Sequence, residues 1–286
     1  VFIYTPRGRN HGHSLYQMAR SSNEWFCQNL TVKDTKRADG SPVISPDIID
    51  QERLEGMEEA LIQQEFYGSF EAQIAGAYYA DQIATAKDQG RVTRLPIEPS
   101  LAVHTAWDLG ISDAMSIWLF QAIGKEIRVI GYYENTGKGM EHYIQWLNQY
   151  AATNGVQLGQ HLAPHDIEVR ELTSGRSRKD VAREMGISFR TVQRPRTKAE
   201  GIQAVRRMFP RFWFDPDKAE HGLNCIASYH REFDEKRNVF RDTPVHDWAS
   251  HGADALQTLA LGWRESMISG SRPQPRQAEV RFNVFG

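Results

Sequence analysis

The chain of 286 residues contains little cysteine, and this scarcity limits the kind of protein it can be. Its two thiols, Cys27 and Cys225, lie in unlike contexts and without the spacing of metal ligands. The sequence therefore predicts no structural disulfide and favours a reducing compartment. No apolar run approaches the roughly 18 residues that a membrane span requires, and no signal peptide is visible. No membrane partner is expected.

A nucleotide-binding P-loop is also lacking. The glycine-rich run from Gly131 to Gly139 is superficially similar to one. It has five residues between Gly131 and Gly137, where a P-loop has four, and Lys138 is followed by glycine instead of serine or threonine. We interpret the run as a strand-to-helix turn and expect no ATPase activity from this chain.

The formal net charge of −2 hides an uneven distribution of charge. Residues 47–88 are mainly acidic, whereas residues 170–211 are rich in arginine and lysine. A basic stretch on an otherwise acidic protein suits a polyanion such as DNA, although a solvated helical face would have the same composition. Arg176, Arg178 and Lys179 are the predicted contacts to a DNA backbone.

The order of apolar segments predicts the fold class. Residues 101–107, 115–122 and 127–133 have the pattern of three strands joined by short turns, as antiparallel hairpins require. A helix is predicted over 140–150, and a short buried strand over 161–163. This is the order of an RNase H-like mixed α/β sheet flanked by helices, in which the first and fourth strands lie side by side. Their carboxyl ends would then open into one crevice.

Three acidic residues lie far apart in the sequence, each in a setting that suits a metal ligand. Asp108 follows the first strand, Asp166 follows the fourth, and Asp254 lies in a helical pattern. A carboxylate at the end of a buried strand is costly without a partner, and Mg²⁺ is such a partner because it prefers oxygen ligands. Each acid alone is more typical of a turn or a helix cap. Together they predict a phosphodiester hydrolase that uses two ions, Mg²⁺ or Mn²⁺.

Two further residues are candidate accessory groups. Asp113 lies five residues after Asp108, across a predicted hairpin turn, and is either a metal contact or a turn former. His251 precedes Asp254 by three residues, so both can share one helix face. It is a candidate ligand of a metal or phosphate, or else a core histidine. The nearby Asp247 is more typical of the acid at a helix N-terminus.

Residues 177–194 allow a different function. Ala182, Gly186 and Val192 have the spacing of a helix-turn-helix, with a recognition helix over 188–194. The chain would then be a non-catalytic DNA-binding module whose acids are structural. Against this hypothesis, the run Ile-Ser-Phe-Arg-Thr-Val that ends at Val192 alternates like a strand.

The chain resembles the large terminase subunit of tailed bacteriophages, which packages and cuts viral DNA. The resemblance spans nearly the whole chain, in the family's order. It is carried by the runs Tyr-Thr-Pro-Arg-Gly-Arg-Asn (4–10), Gln-Glu-Phe-Tyr-Gly-Ser-Phe (64–70), Trp-Asp-Leu-Gly-Ile-Ser-Asp (107–113), Pro-His-Asp (164–166) and Ser-His-Gly-Ala-Asp-Ala-Leu (250–256). Both Walker motifs of that family are absent, and Val1 already lies in a strand-like run. We therefore expect the chain to begin partway through a longer protein.

The resemblance implies a division of the chain and a set of roles. Residues 1–70 would be the C-terminal remnant of a P-loop packaging ATPase domain, 71–95 a linker, 96–266 the nuclease, and 267–286 a flexible tail. Asp108, Asp166 and Asp254 match the family's metal-binding triad, and Asp113 and His251 its accessory positions. The implied substrate is concatemeric duplex DNA, the implied partners are the small terminase subunit and the portal protein, and the implied location is the host cytoplasm. Another RNase H-like nuclease, of the resolvase or transposase type, is the remaining alternative.

Overall fold

The computed structural model describes residues 1–6, 11–57, 59–70, 76–110, 114–170, 175–234 and 239–268. No helix among these residues has both the length and the apolar character needed to cross a membrane. The central feature is a mixed sheet of six strands that has helices on both faces.

The N-terminal part of the chain contains three helices: α1 (His11–Arg20), α2 (Pro46–Leu54) and α3 (Glu59–Glu65). Ser45 occupies the N-cap position of α2 in an extended conformation, without a side-chain hydrogen bond to the helix, and Pro46 lies in the first turn. Residues 1–4 and 25–32 have strand-like apolar patterns in the sequence, which predict two strands. This prediction is wrong, because both segments are irregular. Their apolar side chains are largely exposed, and alternation alone does not make a strand where no neighbouring strand accepts its hydrogen bonds.

The segment predicted as a linker contributes to the main core. It contains α4 (Ala80–Asp88), whose Ile83 and Ala86 are buried. Tyr79, at the start of α4, is fully buried and stacks on Phe209 and Tyr229. These aromatic contacts join α4 to the same hydrophobic cluster as the sheet.

The six-stranded sheet has the order β5-β4-β1-β2-β3-β6. Its strands are β1 (Val103–Asp108), β2 (Ala114–Ile123), β3 (Glu126–Thr136), β4 (Leu158–Pro164), β5 (Phe189–Val192) and β6 (Phe212–Phe214). The first three strands are antiparallel neighbours, β4 pairs in parallel with β1, and β5 pairs in parallel with β4. This is the predicted RNase H-like order, with β6 added in parallel beside β3.

Helices cover both faces of the sheet. They are α5 (Met140–Asn154), α6 (Arg178–Glu184), α7 (Lys198–Met208), α8 (Glu220–Ser228) and α9 (Trp248–Gly262). Side chains alternate along β2, so that Trp118 and Phe120 belong to the core under α7, α8 and α9. Ile117 and Leu119 belong to the core under α5 and α6. Both faces of β2 are therefore buried, which explains its almost continuous apolar sequence.

A separate two-stranded ribbon follows α8. It consists of β7 (Arg231–Asp234) and β8 (Val239–Pro244), paired antiparallel. The sequence pattern over 229–241 predicts a hairpin that turns at 236–238. The hairpin is confirmed, while the residues of the predicted turn lie outside the described part of the chain. Met267, at the start of the predicted tail, is buried, and its carbonyl lies 3.1 Å from Nε2 of His104. Residues 269–286 lie outside the described part of the chain.

Candidate metal-dependent hydrolase site

Two of the candidate acids lie at one edge of the sheet. Asp108 is the last residue of β1, and Asp166 lies in a short 3₁₀ helix, His165–Glu168, that directly follows β4. Since β1 and β4 are parallel neighbours, their carboxyl ends emerge at the same edge. The predicted crevice between the first and fourth strands is thus present in the structure.

The third acid reaches this edge from a helix. Asp254 lies in the second turn of α9, which packs against β1 and β2. The helix begins at Asp247, whose side chain accepts a hydrogen bond from the backbone N–H of Ala249. The Ser250 side chain accepts one from the N–H of Asp247, which completes a capping box. Asp247 is therefore the helix N-cap, as interpreted from the sequence.

All three carboxylates line one cleft of about 260 Å³, which we call the carboxylate cleft. Its wall also contains basic side chains, mostly from the segment between β5 and α7; these are His165, Arg194, Arg196 and Lys198. The side chains of Asp108 and Asp254 are each 23% exposed, whereas that of Asp166 is 56% exposed. The cleft therefore combines two shielded acids and one open acid with a cationic rim.

The environment of Asp108 disfavours its negative charge. Burial raises the pKa of this carboxyl above its ordinary value, and the charge of Asp254 raises it further. A hydrogen-bonding contact with His251, at 3.3 Å between Nδ1 and Oδ2, acts in the opposite direction. A shielded carboxylate with an acidic neighbour is stabilised by a bound cation, which is the charge pattern of a metal site.

Protein groups hold the carboxylate of Asp254. The Nζ atom of Lys198 lies 2.6 Å from its Oδ2 oxygen, and Nε2 of Gln257 donates to Oδ1 at 3.0 Å. Lys198 occupies the first turn of α7, where Thr197 caps the helix by accepting from the N–H of Glu200. An ammonium group thus balances part of the negative charge in the cleft.

The donor set fits a hard divalent cation in its chemistry. It consists of carboxylate oxygens, which Mg²⁺ and Mn²⁺ prefer. Among the described residues, the ligand atoms of the three acids do not all lie within 4.8 Å of one another. The described residues that do meet this distance are Glu134, His221 and Cys225. Asp166 is instead paired with Nε2 of His165 at 3.0 Å. The cleft therefore offers oxygen ligands on separate walls.

Of the two candidate accessory residues, the structure describes only His251. His251 lies one turn before Asp254 on α9, and its ring contacts Asp108. The helix-face argument from spacing is therefore consistent with its position beside the acids. Asp113 lies outside the described residues.

The residues predicted to bind DNA are absent from the described lining of the cleft. Arg176 forms an ion pair with Glu184, and Lys179 pairs with Glu168 at 2.7 Å. Arg178 is the first residue of α6, after the capping residue Ser177. The cationic side chains that do line the cleft, Arg194, Arg196 and Lys198, come later in the same basic stretch.

The helix-turn-helix hypothesis is wrong. The proposed recognition helix over 188–194 contains β5, which pairs with β4 from Phe189 to Val192. Phe189 and Val192 are buried in the two cores, so this segment is a strand at the edge of the sheet and not a recognition helix. The alternation of apolar and polar residues up to Val192 correctly predicted a strand here.

The cluster of Glu134, His221 and Cys225 was not predicted from the sequence. His221 and Cys225 are four residues apart on α8, which is the spacing of one helix face. That spacing was available in the sequence, but Glu134 lies on β3, far away in the chain. Only the packing of α8 on the sheet brings the three side chains together.

The sheet order and the carboxylates at its edge define an RNase H-like fold with a candidate metal-dependent hydrolase site. No family model matches the chain, and no curated protein matches it. In its structure the chain is similar to large terminases of bacteriophages.

The large terminase of a thermophilic bacteriophage is 16% identical, with a TM-score of 0.49, over 90% of this chain and 60% of that one. The nuclease domain of the P22 large terminase is 15% identical, with a TM-score of 0.45, over 60% of this chain and 88% of that one. The large terminase nuclease domain of bacteriophage SPP1, solved with bound Mn, is 12% identical, with a TM-score of 0.40, over 55% of this chain and 84% of that one. The chain thus spans 60% of the thermophilic phage protein. Each is a similarity of fold at low sequence identity.

Proposed function

We propose that this protein is a divalent-metal-dependent endonuclease of the terminase type, which hydrolyses phosphodiester bonds of duplex DNA. The observation that carries the proposal is the carboxylate cleft. Asp108, Asp166 and Asp254 reach it from two parallel strand ends and a helix, and Arg194 and Arg196 line the same cleft. Acids without basic neighbours would repel a phosphate, whereas this arrangement suits a cation and a polyanion together.

The side chains of the cleft have separable tasks. Asp108 and Asp254 provide closely placed negative charge, and His251 orients the carboxylate of Asp108 through their contact. Lys198 balances Asp254 and is placed to pair with a phosphate oxygen. A bound divalent cation supplies Lewis-acid polarisation of the phosphodiester and lowers the pKa of a coordinated water. Arg194 and Arg196 would hold the DNA backbone without reading its bases.

The finer assignments extend this proposal. Concatemeric viral DNA would be the substrate, two ions of Mg²⁺ or Mn²⁺ the cofactors, and Asp113 and His251 the accessory groups. Arg176, Arg178 and Lys179 would contact DNA outside the cleft. Residues 1–70 would belong to a packaging ATPase domain, and the tail from 267 onward would follow the nuclease. The small terminase subunit and portal protein would be partners, acting in the host cytoplasm.

The test is plasmid nicking by the purified chain with Mg²⁺, with Mn²⁺ and with a chelator. Wild type should cleave with metal alone. Asp108→Asn, Asp166→Asn and Asp254→Asn should each lose more than about 100-fold in cleavage, since even groups that merely orient a metal ligand contribute about 10–100-fold. Asp88→Asn is the matched control, because this exposed acid ends α4 and is not part of the described cleft lining.

The outcomes discriminate between the remaining functions. Cleavage that survives in chelator, or in two of the three cleft variants, contradicts the proposal. DNA binding by wild type without any cleavage would favour the non-catalytic module. A strong preference for branched over linear duplex DNA would favour a nuclease of the resolvase type.

A further inference from the structure

A second group of metal-ligand side chains lies outside the carboxylate cleft, between β3 and α8. Nε2 of His221 lies 3.4 Å from Oε1 of Glu134. Cys225 lies one helical turn after His221, and its Sγ completes a set of three ligand atoms that all lie within 4.8 Å of one another. We call Glu134, His221 and Cys225 the Glu-His-Cys cluster. It is independent of the nuclease proposal.

The spacing in this cluster suits a tetrahedral cation. With metal–nitrogen and metal–oxygen bonds of about 2.1 Å, two ligand atoms at a tetrahedral angle are about 3.4 Å apart. This matches the 3.4 Å between His221 and Glu134. The bond from sulfur to zinc is about 2.3 Å, so the sulfur should lie slightly farther from the other two ligand atoms. Sγ of Cys225 already lies within 4.8 Å of both atoms, so a small shift of the side chains would close the site.

Neighbouring side chains hold the ligands in place. The hydroxyl of Tyr132 donates a hydrogen bond to Oε2 of Glu134, which leaves Oε1 directed at His221. The ring of His221 lies between two aromatic rings, with centroid distances of 5.7 Å to Tyr132 and 5.8 Å to Trp248. Metal sites depend on such outer contacts to fix the orientation of their ligands.

Two glycines bring the ligands close enough. A Cβ atom at Gly222 would lie 2.4 Å from the Trp118 ring of the sheet. Because glycine has no Cβ, α8 can approach β2 and β3 closely. A Cβ at Gly252 would lie 2.6 Å from that of Cys225, so α9 also packs closely here. The Glu-His-Cys cluster is therefore at the junction of β3, α8 and α9.

The composition of the cluster favours an added positive charge. Cys225 is fully buried, and its Sγ atom lies within 4.8 Å of a Glu134 carboxylate oxygen. A thiolate beside a carboxylate requires a cation, which a soft divalent metal provides.

We propose that Glu134, His221 and Cys225 form a binding site for a thiophilic divalent cation of the Zn²⁺ class, distinct from the carboxylate cleft. Thiolate and imidazole select such a metal over Mg²⁺ and Mn²⁺, which prefer oxygen ligands. The His221 side chain is 55% exposed, so solvent can supply a fourth ligand. The bound ion would clamp α8 to the sheet beside the helix that carries His251 and Asp254.

The test uses the whole 286-residue chain, stripped with chelator and kept reduced, and titrated with Co²⁺ as a spectroscopic probe and then with Zn²⁺. Wild type should show one thiolate-bound Co²⁺ per chain, seen as a thiolate-to-cobalt charge-transfer band, which Zn²⁺ abolishes and excess Mg²⁺ does not. Zn²⁺ should also raise its melting temperature. Cys27→Ser is the matched control for the other thiol and should behave like wild type, and Asp108→Asn should keep the charge-transfer band.

Two variants separate the site from general damage. Cys225→Ser should lose the charge-transfer band and the Zn²⁺-dependent rise in melting temperature. His221→Gln replaces a half-exposed side chain, so it should fold normally and lose at least about 10-fold in Zn²⁺ affinity. Absence of the band in wild type, its persistence in Cys225→Ser, or its loss in Asp108→Asn would each overturn the proposal. None of these readouts requires nuclease activity.

Discussion

Asp108 lies in the carboxylate cleft, where its negative charge is disfavoured. Its carboxyl group is largely shielded from solvent and lies near Asp254, and both effects raise its pKa. The folded state therefore favours the protonated form relative to the unfolded chain. Its contribution to stability is complete at low pH and is lost as pH rises through the folded pKa.

We predict that Asp108→Asn stabilises the metal-free protein at pH 7, because asparagine imitates the neutral carboxyl group and removes the repulsion from Asp254. Thermal unfolding with chelator should give a higher melting temperature for the variant than for wild type. The difference should disappear below the ordinary aspartate pKa, near 4. A lower melting temperature for the variant at pH 7 would contradict this account of the site.

His161 is a buried histidine that the fold holds neutral. The indole N–H of Trp107 donates a hydrogen bond to Oγ1 of Thr105 at 2.7 Å, and an indole nitrogen can only donate. The hydroxyl proton of Thr105 is therefore available to Nδ1 of His161, which lies 2.7 Å from the same oxygen. Burial lowers the pKa of His161 from 6.5 to about 4, and the neighbouring His104 contributes to the same shift. Below pH 6.5 the unfolded chain binds a proton that the folded chain does not.

We predict that this group makes stability fall as pH drops from about 6.5 to about 4, by roughly 3 kcal/mol in total. Urea unfolding of wild type and His161→Asn should be compared at pH 7, 5.5 and 4.5. Groups common to both proteins cancel, so the free energies of unfolding should converge as pH falls. A constant difference between the two proteins would show that His161 titrates normally in the fold.

At the scale of elements, close packing of α8 on the sheet places the Glu-His-Cys cluster. Gly222, inside α8, faces both the Trp118 and Tyr132 rings, and a Cβ there would lie 2.4 and 2.6 Å from their atoms. Two buried rings cannot both withdraw, because their own neighbours are close-packed. The approach of helix to sheet therefore depends on this glycine.

We predict that Gly222→Ala destabilises the protein by up to about 2 kcal/mol, because overpacking costs about 1–3 kcal/mol and the helix-propensity gain of about 1 kcal/mol offsets only part of it. The near-ultraviolet circular dichroism of the aromatic core should change with it. Gly155→Ala is the control: its left-handed φ of 62° strains alanine, but no atom lies within 4 Å of the new Cβ. It should cost about 1 kcal/mol and leave the aromatic signal unchanged. Equal spectra for both variants would contradict the packing argument.

Sequence patterns located the elements of the sheet well. The strands predicted over 101–107, 115–122 and 127–133 became β1, β2 and β3, with ends moved by at most three residues. Short strands of the N-terminal segment failed because a strand is stable only when another strand completes its hydrogen bonds. Alternating apolar residues indicate a segment with one buried face. Whether another strand lies beside that segment depends on the whole fold.

At the scale of the whole molecule, the cleft places cations beside acids on an otherwise slightly acidic chain. Arg194 and Arg196 line this cleft, whereas Arg178 begins a helix outside its described lining. Contacts to phosphates make DNA affinity depend on salt, with a slope set by their number.

We predict that Arg194→Ala and Arg196→Ala each reduce the salt slope of duplex DNA binding by about 1, with the same loss of affinity on unrelated sequences. Arg178→Ala tests the contact expected from sequence by the same measurement. Arg207→Ala is the control, since this exposed arginine on α7 is not part of the described cleft lining. Binding that weakens on one sequence alone would indicate base recognition instead of backbone contact.

The resemblance to large terminases rests on short runs spread along the chain. The sequence by itself determined the order of strands and helices in the sheet, the position of Asp108 and Asp166 at or after strand ends, and that of Asp254 in a helix. These features follow from periodicity and from the cost of burying a charge, which are properties of neighbours along the chain.

Only the tertiary structure decided which distant groups meet. It brought Lys198 to Asp254 and His251 to Asp108, and it placed Glu134 beside the helix that carries His221 and Cys225. It also showed that the cationic side chains lining the cleft, Arg194, Arg196 and Lys198, come from the middle of the basic stretch and not from its start. Such contacts depend on how helices dock on the sheet, and docking is set by the shape of the core as a whole.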